Sequence, residues 1–301
     1  MIAPFPYFGG KRSVASEVWS RLGAPAQYIE PFCGSAAMLL AAPKPAALEV
    51  VCDSSGFIAN FWRAVKHQPA VCAEWADYPV SHIDLGARHV WLMAQRERIG
   101  AELHDAEWPG DAKVAGWWLW GQCSWIGSGW CEWDGKTPAI GAGQIPHASD
   151  AGMGYDALLT SGGRAAWVAL HRLAARLERV RVVHGHWTRC LNNHFGGADT
   201  AIFLDPPYRA YEALYGGATL PVADECAAWA RENAGLRIAL CGHRGDYDLP
   251  GWDAVEWSRG RLTYAGGETT DRECVWYSPA CLGARQPGLF DACAETVQCP
   301  A

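Results

Sequence analysis

One apolar segment, Ala201-Ile202-Phe203-Leu204, limits most strongly how this chain can fold. It is apolar on both faces of an extended strand, which is typical of a parallel strand covered by helices on both sides. Asp205-Pro206-Pro207-Tyr208 follows at once, and its two prolines remove backbone donors and stiffen the turn. The segment predicts an open α/β sheet with a polar turn at the carboxyl end of a strand, where such sheets bind ligands.

Strand and helix patterns alternate at both ends of the chain. The strand candidates are 26–32, 47–52, 181–184, 200–205, 236–241, 253–257 and 273–277. The helix candidates are 35–42, 57–67, 84–104 and 164–180. This order predicts the α/β class, with a largely parallel sheet and helices on its faces.

The strand signal disappears between about residues 68 and 162. Seven tryptophans fall in one short part of this region, at positions 108, 117, 118, 120, 125, 130 and 133. A glycine-rich stretch follows, so we interpret the region as an inserted subdomain of helices and loops in which most tryptophans pack internally. The predicted division is a main domain of 1–67 and 163–279, an insertion of 68–162 and a tail of 280–301.

Composition narrows the class of protein further. No run of about 18 apolar residues is present, so no transmembrane helix is predicted. The first residues also lack the basic and then apolar pattern of a secretory signal. The twelve cysteines have no Cys-x-x-Cys spacing, so we interpret them as small buried apolar residues. We therefore expect a cytoplasmic protein with no metal ion and no membrane partner.

The charge of the chain is uneven. A formal net charge of −7 argues mildly against non-specific nucleic-acid binding, because phosphate affinity comes from Lys and Arg. Residues 164–189, however, carry six arginines against the single acid Glu178. These arginines are Arg164, Arg172, Arg176, Arg179, Arg181 and Arg189. Two interpretations stay open for this strip, a solvated helix face or a surface that faces phosphates.

The Asp205–Tyr208 turn has the chemistry of a site for a planar amine. The Asp205 carboxylate and the Pro206 carbonyl can accept hydrogen bonds, Pro207 stiffens the turn, and Tyr208 offers a flat ring. These groups suit an exocyclic amino group on a planar base.

Three further segments point to a nucleoside. Glu30-Pro31-Phe32-Cys33-Gly34 joins the first strand candidate to a helix, and its glycine permits close backbone approach. Asp53 ends the next strand candidate, where an acid can accept hydrogen bonds from ribose hydroxyls. Tyr7-Phe8-Gly9-Gly10-Lys11 adds a ring and a cation near the amino terminus. A Gly-x-x-x-x-Gly-Lys-Ser/Thr element is missing, which counts against a nucleotide triphosphatase.

Taken in order, these elements resemble the Dam-like class of DNA adenine-N6 methyltransferases. In that class an aromatic-x-Gly-Gly-Lys element precedes Glu/Asp-Pro-Phe-x-Gly, a strand-end Asp and Asp-Pro-Pro-Tyr. The resemblance spans about residues 5–278. It departs at Ser35-Ala36, where many members carry a second glycine, and at Cys52, where Asn is frequent.

The resemblance implies an α/β fold of the class I methyltransferase (Rossmann-like) type, with an inserted helical and loop subdomain for target recognition. It implies S-adenosylmethionine as methyl donor and no metal. It assigns cofactor binding to Tyr7, Lys11, Glu30, Phe32, Gly34, Asp53 and Asp205. It assigns the flipped adenine to a catalytic pocket of Asp205, Pro206, Pro207 and Tyr208.

The implied activity is site-specific adenine-N6 methylation of double-stranded DNA by a monomer of bacterial or phage origin, as in restriction-modification systems. An Asp at the first position of Asp-Pro-Pro-Tyr favours adenine over cytosine in this class. Two alternatives stay open. One is cytosine-N4 or RNA methylation on the same fold, and the other is a DNA-binding protein that has kept the pocket without turnover.

The tail contains a short motif of its own. Gln286, Leu289 and Phe290 form a Gln-x-x-Leu-Phe pattern between Pro and Gly residues. This pattern resembles the peptides that dock on bacterial sliding clamps. Two interpretations stay open, docking on a clamp and packing of the tail on its own domain.

Overall fold

The computed structural model describes residues 1, 3–7, 11–79, 81–125, 130–131, 163–191, 197, 199–208, 222–257 and 273–282. The strands in these residues are β1 Gln27–Glu30, β2 Leu48–Asp53, β3 Val180–His184, β4 Thr200–Leu204, β5 Arg237–His243, β6 Asp253–Trp257 and β7 Glu273–Tyr277. The α-helices are α1 Ala15–Leu22, α2 Ala37–Ala41, α3 Gly56–His67, α4 Pro69–Ala76, α5 His82–Glu102, α6 Ala112–Ser124, α7 Gly163–Leu177 and α8 Val222–Glu232. Single 3-10 turns cover Arg12–Val14 and Trp187–Cys190.

The seven strands form one sheet in the order β3-β2-β1-β4-β5-β7-β6. Strands β3, β2, β1, β4 and β5 are parallel, and β7 runs antiparallel to both β5 and β6. The strand order reverses between β1 and β4, which places a topological switch point there. All seven strand candidates are confirmed, and with them the predicted α/β class with a Rossmann-like sheet.

Alternate residues of each central strand pack on opposite faces of the sheet. In β4, for example, Ala201 and Phe203 pack on one face, whereas Ile202 and Leu204 pack on the other. Side chains of α1 to α7 cover the first face, and α8 with the Trp187–Cys190 turn covers the second. Burial on both faces explains why β4 has no polar residue between Ala201 and Leu204.

Short polar side chains begin several of the helices. Ser55 accepts a hydrogen bond from the Ile58 amide at the start of α3, and Asp111 accepts one from the Val114 amide (2.9 Å) at the start of α6. Each cap satisfies a backbone N–H that has no partner within its helix.

The helices of the predicted insertion share a core with the sheet. Buried residues of α4, α5 and α6 belong to the same cluster as those of α3 and β4. Six of the seven tryptophans are described, and none of these six is exposed: Trp118, Trp120 and Trp130 are buried, and Trp108, Trp117 and Trp125 are half-buried. They pack internally, as expected, while Trp133 lies outside the described residues. The division at 68 and 162 remains a prediction.

Cysteine burial, the lack of a transmembrane helix and the tail motif are also predictions from the sequence. The ten cysteines in the described residues are all free, and nine of them are buried. No helix in the same residues is both long and apolar enough to cross a membrane. The clamp-like motif of Gln286, Leu289 and Phe290 lies outside the described residues.

One arginine of the basic strip is taken up by an internal ion pair. Arg176 binds Glu49 through two hydrogen bonds, with Nη1–Oε2 at 2.5 Å and Nη2–Oε1 at 2.7 Å. Glu49 is only 2% exposed. The pair joins α7 to β2, so Arg176 does not belong to a solvated helix face.

We predict that Arg176→Met lowers the free energy of unfolding by about 3 kcal/mol, because it leaves a buried carboxylate without its cation. Urea unfolding measures the change. Arg172 lies one turn earlier on α7 and is exposed, so Arg172→Met is the control and should stay within about 0.5 kcal/mol of wild type. Equal stabilities of the two variants would contradict the assigned role of the pair.

Candidate functional site

The polar residues at one edge of the sheet come from strands that all end there. Glu30 and Asp53 end β1 and β2, Asp205 follows β4, and His243 ends β5. Because β7 is antiparallel, its first residue, Glu273, lies at the same edge. The structure therefore brings the acids predicted from the sequence to one edge and adds further residues to it, among them His243 and Glu273.

The glycine turn after β1 packs against the aromatic ring of Tyr7. Gly34 has a φ of +45°, and a Cβ there would lie 2.5 Å from Cδ1 of half-buried Tyr7. The Gly34 carbonyl accepts a hydrogen bond from Nε1 of buried Trp62 on α3 (3.0 Å). Glycine is required here because the Tyr7 ring fills the space that a side chain would occupy.

The next residues show how this chain replaces a second glycine. Ala36, at the start of α2, has a φ of +49° and is fully buried. Left-handed backbone costs an alanine roughly 1–2 kcal/mol. The turn thus keeps a glycine-like conformation at Ala36 at some cost in stability.

Asp53 is held by backbone amides at the end of β2. Its Oδ2 accepts from the Gly34 amide (3.0 Å) and its Oδ1 from the Ser55 amide (2.9 Å). Burial raises the pKa of Asp53 to about 6, although these N–H donors oppose the shift. The group is thus mainly ionised at pH 7, and each oxygen keeps a lone pair that can accept a ligand hydroxyl.

Glu30 has a different environment from Asp53. Its Oε2 accepts from the Tyr28 hydroxyl (3.0 Å) and from the Leu39 amide (2.9 Å), and the residue is only 2% exposed. Burial raises the pKa of Glu30 to about 8, so the carboxyl is mostly protonated at pH 7. Glu30 fastens β1 to α2 beneath the glycine turn.

Lys11 lies at the centre of the second half of the site. Its Nζ is 2.9 Å from Asp205 Oδ1 and 3.6 Å from Glu273 Oε2, and the residue is only 3% exposed. It also lies 5.0 Å from the ring centre of Tyr208 and 5.9 Å from that of Trp257. Burial lowers the pKa of Lys11, but the charges of Asp205 and Glu273 outweigh it and raise the pKa overall.

Aromatic rings line both halves of the edge. The buried Tyr208 ring meets the His243 ring edge to face, with centroids 4.6 Å apart. Half-buried Phe32 stacks on Trp187 at 6.1 Å. Between Asp205 and Tyr208, Pro206 is buried and Pro207 is half-buried.

Three residues at this edge were not predicted as site residues: His243, Trp257 and Glu273. Each ends or begins a strand at the edge that carries Asp205. Their positions at strand ends were the sequence signal that could have identified these residues. Glu273, however, begins its strand, so it could be placed at this edge only once the antiparallel direction of β7 was known. In the described part of the chain, no cluster of three or more His, Cys, Asp or Glu side chains is arranged to hold a metal ion.

The α/β fold, with its mostly parallel seven-stranded sheet, is consistent with a Rossmann-like methyltransferase fold. The polar residues at the sheet edge fall into one half at the ends of β1 and β2 and an acidic half at the end of β4. Residues 7–79 match the family model of the D12 class N6 adenine-specific DNA methyltransferases. The match confirms the resemblance to Dam-like enzymes and supports DNA adenine methylation as the general activity. It implies S-adenosylmethionine as methyl donor. No curated protein matches the chain.

We predict that the free energy of unfolding of the wild type falls as pH rises from about 4.5 to about 8. The folded state holds the Glu30 proton more tightly than the unfolded chain, so this contribution is complete at low pH and is lost above the folded pKa. Glu30→Gln should flatten the curve and gain stability relative to wild type at pH 9. Urea unfolding from pH 5 to 9 measures both. Glu97→Gln, at an exposed position of α5, is the control, and curves that run parallel for wild type and Glu30→Gln would refute the assignment.

Proposed function

We propose that the protein is a site-specific DNA adenine-N6 methyltransferase that uses S-adenosylmethionine and acts on an adenine flipped out of duplex DNA. The observation that carries the proposal is the Asp205 carboxylate at the carboxyl end of β4, fixed by the buried Lys11 and adjacent to Tyr208. The family match over residues 7–79 supports it independently.

Asp205 and Pro206 form the acceptor pair for the adenine amine. Lys11 occupies Oδ1 of Asp205, and within the described residues Oδ2 has no hydrogen-bond donor. This oxygen and the Pro206 carbonyl accept the two amine protons, which directs the nitrogen lone pair away from the ring system. The carboxylate then stabilises the positive charge that develops on the nitrogen. Pro207 limits the motion of the turn, and Tyr208 supplies a ring for the base.

The half of the site at the ends of β1 and β2 fits the methyl donor, S-adenosylmethionine. Asp53 is half-buried, is mainly ionised at pH 7, and is oriented by two backbone amides, so it can accept hydrogen bonds from ribose hydroxyls. Phe32, Gly34 and Tyr7 shape the wall beside it, and Glu30 supports that wall from below. When bound, S-adenosylmethionine supplies a methyl group that its sulfonium has already activated.

Lys11 acts on the acidic half of the site. As a buried cation it orients Asp205 and keeps a positive charge beside that carboxylate. We assign target recognition to the insertion of 68–162. Extruding the base from the duplex costs a few kcal/mol, and contacts between the protein and DNA offset this cost.

The decisive experiment identifies the methylated base. The full chain is incubated with duplex DNA and S-adenosylmethionine that carries a labelled methyl group, and the DNA is then digested to nucleosides. Label in N6-methyladenine supports the proposal. Label in N4-methylcytosine, or label in an RNA duplex but not in DNA, establishes the other enzyme, and DNA binding without label establishes a binding protein without turnover. Single-molecule sequencing of the product gives the target site.

We predict that Asp205→Asn lowers kcat by about 100-fold or more, because the amide removes the charge that stabilises the developing cation. Initial rates with labelled donor measure it, and thermal unfolding shows that the variant is folded. Asp248→Asn makes the same chemical change at an exposed position and should keep wild-type rates. Near-normal turnover of Asp205→Asn would remove Asp205 from the mechanism.

A further inference from the structure

A groove of about 490 Å³ lies beside the edge strand of the sheet, away from the Asp205 niche. Its walls are the second half of α3 and the chain from Glu178 through β3. Basic side chains dominate the lining: Arg63, Lys66, His67, Arg179, Arg181 and His184. The proposed methyl transfer uses none of these residues.

The groove has an uncompensated positive charge. Four permanent cations line it, against the single carboxylate of Glu178. Arg63 donates to the Leu103 carbonyl (3.2 Å) and Lys66 to the Val180 carbonyl (2.9 Å), which fixes both side chains but leaves their charges in place. Such a cluster stands out in a chain with a net charge of −7.

Two of the cations face solvent. Arg179 and Arg181 are exposed, and neither side chain makes a hydrogen bond or an ion pair within the described part of the chain. Arg179 directly precedes β3 and Arg181 is the second residue of that strand, so the two lie two positions apart and both can reach the same strand of a polyanion. Burial, together with the charges of Lys66 and Arg63, lowers the pKa of His67, which is further evidence of a positive local field.

The groove lies on the side of the sheet that carries Asp53. His184 is the register partner of Asp53, and its ring lies 3.2 Å from the Ser54 carbonyl (Nε2 to O). Strand β3 is three strand positions from β4, which at about 4.8 Å per position is about 14 Å. Through the strand register Arg181 is level with Ile202, so Arg181 and Arg179 lie about 10 and 17 Å below the level of Asp205 along the strand direction, at about 3.3 Å per residue. The two arginines are therefore roughly 17 to 22 Å from Asp205, which at about 3.4 Å of helix axis per phosphate corresponds to about five or six nucleotides.

We propose that the Arg63–Arg181 groove binds the phosphate backbone of duplex DNA about five or six nucleotides from the target adenine, with Arg179 and Arg181 as the contacting residues. The inference rests on the proposed function for its choice of DNA. The exposure of both arginines favours a polyanion that runs past the protein over a small anion held in a closed pocket. The contact positions the duplex and carries no sequence information.

The test compares the double variant Arg179→Glu/Arg181→Glu with Lys44→Glu/Arg231→Glu, which changes the net charge equally at exposed positions elsewhere. Binding of a 30-base-pair duplex is measured without donor at several salt concentrations. Each lost phosphate contact should flatten the slope of log K against log salt by about 0.9, so the groove variant should lose about one to two units of slope. Its affinity should fall at least tenfold, and the control should keep the wild-type slope. Arg179→Ala/Arg181→Ala is the second variant if the charge reversal impairs folding.

The outcomes separate this inference from the proposed function. A slope that is unchanged in the groove variant, or reduced equally in the control, overturns the inference. Competition by millimolar inorganic phosphate in the groove, with duplex binding unaffected by the variants, makes it a small-anion site and also overturns it. Methylphosphonates placed about four to seven nucleotides from the methylated base should weaken wild-type binding but not binding by the variant. If the groove variant loses slope while wild type methylates no DNA, the groove assignment stands and the proposed activity fails.

Discussion

A buried cation holds the acidic half of the site together. Lys11 is almost fully buried, and a charge in such a place is tolerated when opposite charges surround it, because an unpaired one costs several kcal/mol. Asp205 and Glu273 supply them, from β4 and β7. The amino-terminal segment is thereby tied to two strands that lie far along the chain. Any substitution that removes one of the three charges disturbs the positions of the other two.

The parallel sheet imposes the second constraint. Because β2, β1 and β4 all end at one edge, residues separated by about 150 positions in sequence become neighbours without any local signal that relates them. The order reverses between β1 and β4, so the chain diverges there and leaves room above the strand ends. Asp53 falls on one side of this gap and Asp205 on the other, which is the arrangement that two reacting molecules need.

Sequence patterns predicted those features of the fold and the site that depend on local composition, namely the strands and the acids that end them. Each strand candidate was an apolar or alternating run, and Asp53 and Asp205 could be recognised because they end such runs. Helices α1, α4, α6 and α8 were not among the helix candidates. Helices α4 and α6 are apolar on most sides and so have little amphipathic period. The role of Glu30 depends on burial against Tyr28 and Leu39, and the pairing of Lys11 with Glu273 depends on strand direction. Neither can be read from residue type.

Net charge was equally incomplete as a guide to what the chain binds. The net charge of −7 does not show where the charges lie: the sum includes Arg176 and Glu49, which cancel each other inside the protein and contribute nothing to its surface. It also hides the local excess beside β3, where the acceptors of Arg63 and Lys66 are neutral carbonyls and cancel nothing. A phosphate responds to the field within about a Debye length, some 8–10 Å at moderate salt, and not to the sum over the chain. An acidic protein can therefore present a basic groove to DNA, provided that its carboxylates are paired internally or lie on other faces.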